Sequence, residues 1–494
     1  MNERKIDSKK DIYKVKTYPV PFSLKEINED LTIHTDPYST YSKEQIIYQA
    51  VKFHSQGNIS EATKYYQYFI NQGFKDHRVF SNYGVILNEM GKSKDAEFSY
   101  RKAIKLNPDY ADAHLNLGNI LIDLGKLQEA EVSTRKAIEL NPNFAKAHSN
   151  LGNILRNLGK LQEAELSYRK AIKLNPDYAN AHYNLANSLE LLGKRETAKK
   201  HWEKAIELEP KEDKSMIALA HVLCYEKKYE LALKYLSKNK SNSCQSVHLG
   251  CLLSLDREKD FKEKYKELAK KRVCNANIGG AVEHANIIYE SKYESPFCNE
   301  AIKYVLIDKI NEESFSENHL NELISYSQNS KTTMRSQGTL QGGVQTSGDL
   351  FSLEFPFIKE MKKALEIKIE KYKQKFKYSG QGFINNWPKN YDLRAWMISM
   401  KTGGFLAPHN HEYGWITGSF YLQVPKLSNN TDEGNLAFSY QGPRYPQKNK
   451  DFNLTIQKIE TRDICIFPSS LFHHTIPFKS SEERICFVFD LVQK

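Results

Sequence analysis

Between Lys43 and Asn239 apolar residues recur every three or four positions, the period of one helix face, and Pro108, Pro142, Pro176 and Pro210 stand 34 residues apart. Gly57, Gly91, Gly125, Gly159 and Gly193 keep the same step, as do Ala62, Ala96, Ala130, Ala164 and Ala198, and Ala103, Ala137, Ala171 and Ala205. Each unit predicts two helices. Leu117, Gly118 and Leu121 share a face of the first, where the glycine lets the second helix come close. Gly125 breaks the chain between the two, Ala130 and Ala137 form a small-residue seam on the second, and Pro142 ends the unit because it cannot continue a helix. A looser unit precedes the clear ones, from Lys43 to Phe74, and another follows with Ala220 and Ala232 after a two-residue slip. About six stacked pairs predict an α-solenoid over residues 43–240, behind an N-terminal extension of residues 1–42.

Beyond Ser241 the pattern stays helical but loses its period: Leu252, Leu253, Leu255 and Phe261, then Ile302, Val305, Leu306 and Ile310, predict an irregular helical connector over residues 241–345. Its last part, SYSQNSKTTMRSQGTLQGGVQTSGDLF, is poor in apolar residues and reads as a loop or an extended entry to the final domain. Phe357 to Phe376 returns to helical spacing. After Tyr378 the periodicity changes to short alternating runs. Eight strands are expected, at Arg394–Met400, Leu406–His411, Ile416–Val424, Asn435–Tyr440, Leu454–Ile459, Ile464–Phe467, Phe472–Phe478 and Arg484–Val492, which predicts a sandwich or jelly-roll barrel over residues 346–494.

The strands carry the chemistry. HNHEYGW starts at His409, FPSSLFHHTIPF holds His473 and His474, and Arg484 follows on the next strand. Mononuclear non-haem iron takes two imidazoles and usually a carboxylate on one face, with positions left open. Residues two apart on a strand share a face, so His409 and His411 look the same way, and a histidine from a distant strand completes the set. Of His473 and His474 only one can face the metal. A buried Arg484 needs a carboxylate, which a dicarboxylate ligand supplies as a bidentate partner. Tyr421, Asn435 and Trp415 are candidates for the pocket lining and Arg394 for a cosubstrate contact; a core or solvated role is the plainer reading of each.

Two resemblances follow. His114, Leu117, Gly118, Leu121, Ala130, Ala137 and Pro142 stand in the positions of the tetratricopeptide repeat family, with His114, His148 and His182 where a bulky residue is usual. That resemblance implies a groove for a protein or peptide partner. From Thr346 to Lys494 the phrases QTSGDLF, WMISMKTGGFLAPHNHEYGWITGSFYLQVP, EGNLAFS, DICIFPSSLFHHTIPF and EERICFVFDL, in that order, resemble a family of iron(II) and 2-oxoglutarate oxygenases that often accompanies such repeats. It implies a double-stranded β-helix, iron(II), 2-oxoglutarate and oxygen as cofactor and cosubstrates, with ascorbate as a supporting reductant. Carried over, His409 and His473 are iron ligands and Arg484 binds the far carboxylate of 2-oxoglutarate; Tyr421 is a further candidate for cosubstrate binding. The middle ligand is His411, with Glu412 as alternative, since the commonest pattern places Asp or Glu where His411 stands.

Composition trims the alternatives. The 71 Lys and Arg give a formal charge of +11 but are spread along the chain, without the basic, aromatic-studded face of a nucleic-acid binder. No run approaches the roughly 18 apolar residues of a membrane span, and MNERKIDSKKD opens the chain with charge. Seven cysteines, scattered and without a CxxC pair, suit reduced thiols. A cytoplasmic oxygenase supplied with substrate by its repeats is the expectation. The competing classes are a non-catalytic scaffold whose barrel is inert and a cupin-like isomerase or sensor without 2-oxoglutarate.

Overall fold

The computed structural model describes residues 41–329, 334–335, 339–346, 349–353, 355–427 and 431–494. The expected extension therefore lies outside the described residues, apart from Tyr41 and Ser42. The chain divides into two compact units, the first ending at Ala147 and the second running from His148 to Lys494.

The first unit holds α1 (Lys43–Ser55), α2 (Ile59–Asn71), α3 (His77–Glu89), α4 (Ser93–Leu106), α5 (Ala111–Asp123) and α6 (Leu127–Leu140), and the break falls within α7 (Ala145–Asn157). Ser42 and Gln45 cap α1 reciprocally, each side chain taking the other's backbone N–H. Gly84 and Gly118 sit where the paired helices touch: a Cβ added there would lie 2.7 Å from the Tyr100 ring and 2.2 Å from Thr134 Oγ1. This is the close approach that the glycine column predicts.

The second unit continues the pairs with α8 (Leu161–Leu174), α9 (Ala179–Leu191), α10 (Arg195–Leu208), α11 (Lys214–Tyr225) and α12 (Tyr229–Leu236). The expected slip in the last pair is absent. Lys227 stands 34 residues after Gly193 and takes the same left-handed turn, φ +58° against +74°. Next come α13 (Asn242–Ser254), α14 (Glu258–Lys270) and α15 (Ala276–Ile288), then α16 (Glu317–Asn329), α17 (Pro356–Lys375) and the single turn α18 (Gly382–Asn385).

Among the described residues ten strands follow or interleave: β1 (Leu306–Lys309), β2 (Met334–Arg335), β3 (Leu340–Thr346), β4 (Tyr391–Leu406), β5 (Ile416–Gln423), β6 (Leu436–Ser439), β7 (Thr455–Gln457), β8 (Asp463–Pro468), β9 (Phe472–Thr475) and β10 (Arg484–Gln493). They form a seven-stranded sheet in the order β1-β8-β5-β10-β4-β3-β2 and a three-stranded sheet in the order β7-β6-β9. Every pairing is antiparallel. Of the expected sandwich or jelly-roll barrel, the described residues show two antiparallel sheets that do not close.

Two further corrections concern the strand region. Leu306, expected in a helix, opens β1, which pairs with β8. The polar segment, read as a loop or an extended entry, takes the second form in β2 and β3, and β3 pairs with β4. The runs Arg394–Met400 and Leu406–His411 are one long β4 that stops at Leu406. Sheet edges are completed from distant parts of the chain because unpaired backbone groups need partners, and that demand has no local signature. Alternation sorts the faces of β10. Phe487, Phe489 and Leu491 are buried in one cluster with Met361 and Leu365 of α17, while Arg484, Cys486, Val488 and Asp490 line a cavity between the sheets.

Candidate metal centre

The cavity has a volume of about 380 Å³ and is walled by β4, β5 and β10 on one side and by Leu436, His473 and Thr475 of the smaller sheet on the other. His409, His411 and His473 meet in it, their ligating nitrogens all within 4.8 Å of one another. His473 lies on β9, opposite Phe438. His409 and His411 lie past the end of β4, yet the backbone pins them: His409 and His473 exchange N–H to O bonds of 3.1 and 2.9 Å, and His411 N–H donates to Ser469 O at 3.1 Å. Their common direction therefore comes from pairing with the segment before and within β9.

Each imidazole is oriented from behind. His409 Nδ1 lies 2.8 Å from Ala407 O, His473 Nδ1 3.3 Å from Leu471 O, and His411 Nδ1 2.7 Å from Asp490 Oδ1. All three partners accept only, so each Nδ1 carries the proton and each Nε2 keeps its lone pair. Loss of water around the ring pushes His409 down to about 4, with the charge of His411 adding to it. Burial likewise holds His473 well below the ordinary histidine range. Neutral imidazoles with free Nε2 atoms are what a divalent metal binds.

Asp490 is the residue that sequence reasoning missed. One oxygen takes both His411 Nδ1–H and the Thr417 hydroxyl, each at 2.7 Å. The signal was present, since Asp490 is six residues along β10 from Arg484 and so on its face. Glu412 also borders the cavity, with its carboxylate engaged by two other residues. His221 of α11 donates to it at 2.7 Å, and Arg444 forms a close ion pair with it. Burial raises its carboxyl, but Arg444 and then His221 outweigh that and hold it well below the usual carboxylate range.

Arg484 is 1% exposed. Its Nε donates to Gly434 O at 3.0 Å, and the guanidinium lies over the Tyr421 ring at 4.9 Å. Nη2 has no partner among the described residues. A buried cationic donor left unpaired is costly, and a carboxylate entering the cavity satisfies it. Tyr421 lines the same cavity, and burial raises its hydroxyl far above the ordinary tyrosine value.

The other expected pocket residues lie outside the lining. Trp415 is buried, donates to Phe383 O at 2.6 Å and packs edge-on to Phe297. Asn435 accepts from Ile459 N–H at 3.1 Å and closes a turn. Arg394 is exposed and absent from the lining, although it shares a sheet face with its strand partner Asp490. For His474, β9 alternation turns it to the other face from His473.

Residues 84–121 and 152–193, 111–144 and 179–212, and 134–165 match profiles of tetratricopeptide repeats. Residues 394–490, which hold the three histidines and Arg484, match the family described as "Putative 2OG-Fe(II) oxygenase". The chain carries tetratricopeptide repeats and a domain of that oxygenase family. No curated protein matches the chain. Among solved structures, MamA is 25% identical over 33% of this chain and 94% of its own, with a TM-score of 0.31. YrrB, "a TPR protein with an unusual peptide-binding site", is 24% identical over 35% and 89%, at 0.31. The Pseudomonas aeruginosa pilF protein is 20% identical over 39% and 90%, at 0.36. All three likenesses concern the repeats. The oxygenase-family domain is where the histidines, Asp490 and Arg484 converge.

Proposed function

We propose that the chain is an iron(II)- and 2-oxoglutarate-dependent oxygenase that hydroxylates a protein, peptide or carrier-bound substrate brought to it by the repeats, in a reducing, cytoplasmic setting. The observation that carries this reading is one cavity holding three Nδ1-anchored imidazoles and a buried guanidinium with an unpartnered Nη2. His409, His411 and His473 would hold the iron, and His411 takes the middle place because Glu412 is committed to Arg444 and His221. Arg484 would pair the far carboxylate of 2-oxoglutarate, with the Tyr421 ring beneath it. Bound iron and 2-oxoglutarate supply oxidative decarboxylation to succinate coupled to oxygen insertion into a C–H bond. The chain itself orients the imidazoles from behind, and burial keeps His409 and His473 neutral.

An inert scaffold has no use for an unpaired buried guanidinium beside three convergent imidazoles. Recruitment by the repeats is supported by a cavity of about 670 Å³ in the first unit, lined by Ile104, Leu117, Leu121 and Val132. Phe98, Val132 and Leu166, 34 residues apart on the second helices of three units, are 69%, 72% and 68% exposed. Apolar side chains left in water at a repeated position suit a partner surface.

The test is succinate formation from 2-oxoglutarate by the purified chain with iron(II), oxygen and ascorbate, lost in His473→Ala and in Arg484→Ala. Failure of the folded chain to bind either iron(II) or 2-oxoglutarate sinks the oxygenase reading. With a substrate in hand, Val132→Asp is expected to raise KM and leave kcat unchanged if the repeats recruit it.

A further inference from the structure

The last repeat and the helix beyond it bring two thiols together beside a cavity that His409 also borders. Cys224 on α11 and Cys251 on α13 are 27 residues apart in sequence, and their sulfurs are 3.3 Å apart. Both are buried, at 3% and 1% exposure. Cys224 nonetheless lines a second cavity of about 440 Å³, with His221, Tyr229, Glu412 and Arg444. Cys224 therefore borders a space large enough for a small molecule.

The two thiols are also unlike the other five. Burial pushes Cys244 up to about 11 and Cys274 up to about 12, and raises Cys298, Cys465 and Cys486 as well. Cys224 is pushed down, chiefly by the hydrogen bond from the Cys251 thiol, with the charges of Arg444 and His221 helping against burial. Cys251 is held up by the same bond. A thiol whose pKa is lowered, with a second thiol in contact, is the arrangement of a reactive and a resolving cysteine.

We propose that Cys224 and Cys251 form a redox site that reduces a hydroperoxide and closes reversibly to a disulfide between α11 and α13. The Cys224 thiolate attacks the terminal peroxide oxygen; the O–O bond breaks and the departing alkoxide, or hydroxide from hydrogen peroxide, takes a proton from water. Cys224 is then a sulfenic acid, its sulfur oxidised by two electrons and the peroxide reduced by two. The sulfur of Cys251 attacks it and yields its own proton to the hydroxide that leaves as the S–O bond breaks, so an S–S bond forms and water departs. Two thiols and one hydroperoxide become one disulfide, one alcohol or water, and one water. The helices need only close 3.3 Å to a bond of about 2.05 Å.

The experiment treats the full chain, fully reduced, with hydrogen peroxide, then alkylates it under denaturing conditions and maps its peptides without reductant. The expected product is a Cys224–Cys251 cross-link that has lost two hydrogens and is reversed by dithiothreitol, formed at least about tenfold faster than any other cysteine is oxidised. Cys251→Ser is expected to leave Cys224 as a sulfenic acid trapped by dimedone, and Cys224→Ser to leave Cys251 alkylatable. Cys251→Ala gives the same readout if the serine variant loses its helical circular dichroism. Oxidation of another cysteine first, or a Cys224 that dimedone does not trap in either Cys251 variant, overturns the proposal. The readout uses neither iron nor 2-oxoglutarate, so it stands apart from the oxygenase test.

Discussion

One oxygen of Asp490 fixes the ring of His411 and is itself fixed by Thr417. An acceptor behind a metal-binding imidazole sets its tautomer and its aim, and losing one costs roughly 10–100-fold in metal affinity. Asp490→Asn is therefore expected to weaken iron(II) binding by about that factor, read by titration calorimetry under argon. Glu412→Gln keeps a polar partner for Arg444 and is expected to leave iron affinity near that of the native chain. The reverse order of the two effects would make Glu412 the middle ligand. For Arg484, replacement by Lys removes the planar fork. Arg484→Lys is expected to weaken 2-oxoglutarate binding by about 1.5–3 kcal/mol, the worth of a charged hydrogen bond, with iron binding retained.

Helix pairing in the repeats rests on contacts between residues 16 apart, Gly84 with Tyr100 and Gly118 with Thr134 in the first unit and Gly152 with Tyr168 in the second. A Cβ on Gly152 would lie 2.5 Å from the Tyr168 ring. Gly152→Ala is expected to lower stability by about 1–3 kcal/mol, measured by urea unfolding, because a packed seam resists added volume. The turn column points the other way. Lys227 holds at φ +58° a conformation that glycine holds in the five preceding units, and a side chain there costs about 1–2 kcal/mol. Lys227→Gly is expected to stabilise the chain by about 1 kcal/mol; a loss of stability would show that the turn is not strained. These elements were legible because their contacts lie within one repeat, where spacing in sequence is distance in space.

Within the second unit, α15 joins helices to sheets. His284 lies 3.2 Å from Tyr440 O and 2.9 Å from Pro446 O, and Gly280 packs on Ser470 O with no room for a Cβ. Next to it Glu283 accepts from Ala301 N–H at 3.1 Å through one oxygen, while its other oxygen has no partner among the described residues. Burial raises its carboxyl to about 8. A raised carboxyl binds its proton more tightly in the folded chain, so stability falls as pH rises from the ordinary glutamate range of about 4.3 to about 8. Glu283→Gln carries no charge and is expected to flatten that fall, by on the order of 1 kcal/mol or more at pH 8, seen in denaturation midpoints across the range. Equal pH dependence in both chains would remove Glu283 from the account.

The repeat period, the helix of residues 356–375 and the spacing of His409, His473 and Arg484 were all readable along the chain, because helix faces and strand alternation are local geometry. Asp490 was readable too, by counting along β10 from Arg484, but a lone carboxylate in an apolar strand carries no sign of its partner. Other features belong to the tertiary structure alone. Strands β1 and β3 pair with segments far away in sequence. The partners behind His411 (Asp490) and behind Glu412 (Arg444 and His221) come from other elements. Trp415 and Asn435 are drawn into packing and a turn, not the cavity. The Cys224–Cys251 contact spans two helices of different kinds, one inside the repeat and one beyond it. In each case the deciding partner lies tens of residues away or more, and only folding, which satisfies buried polar groups and fills space at once, determines which one arrives.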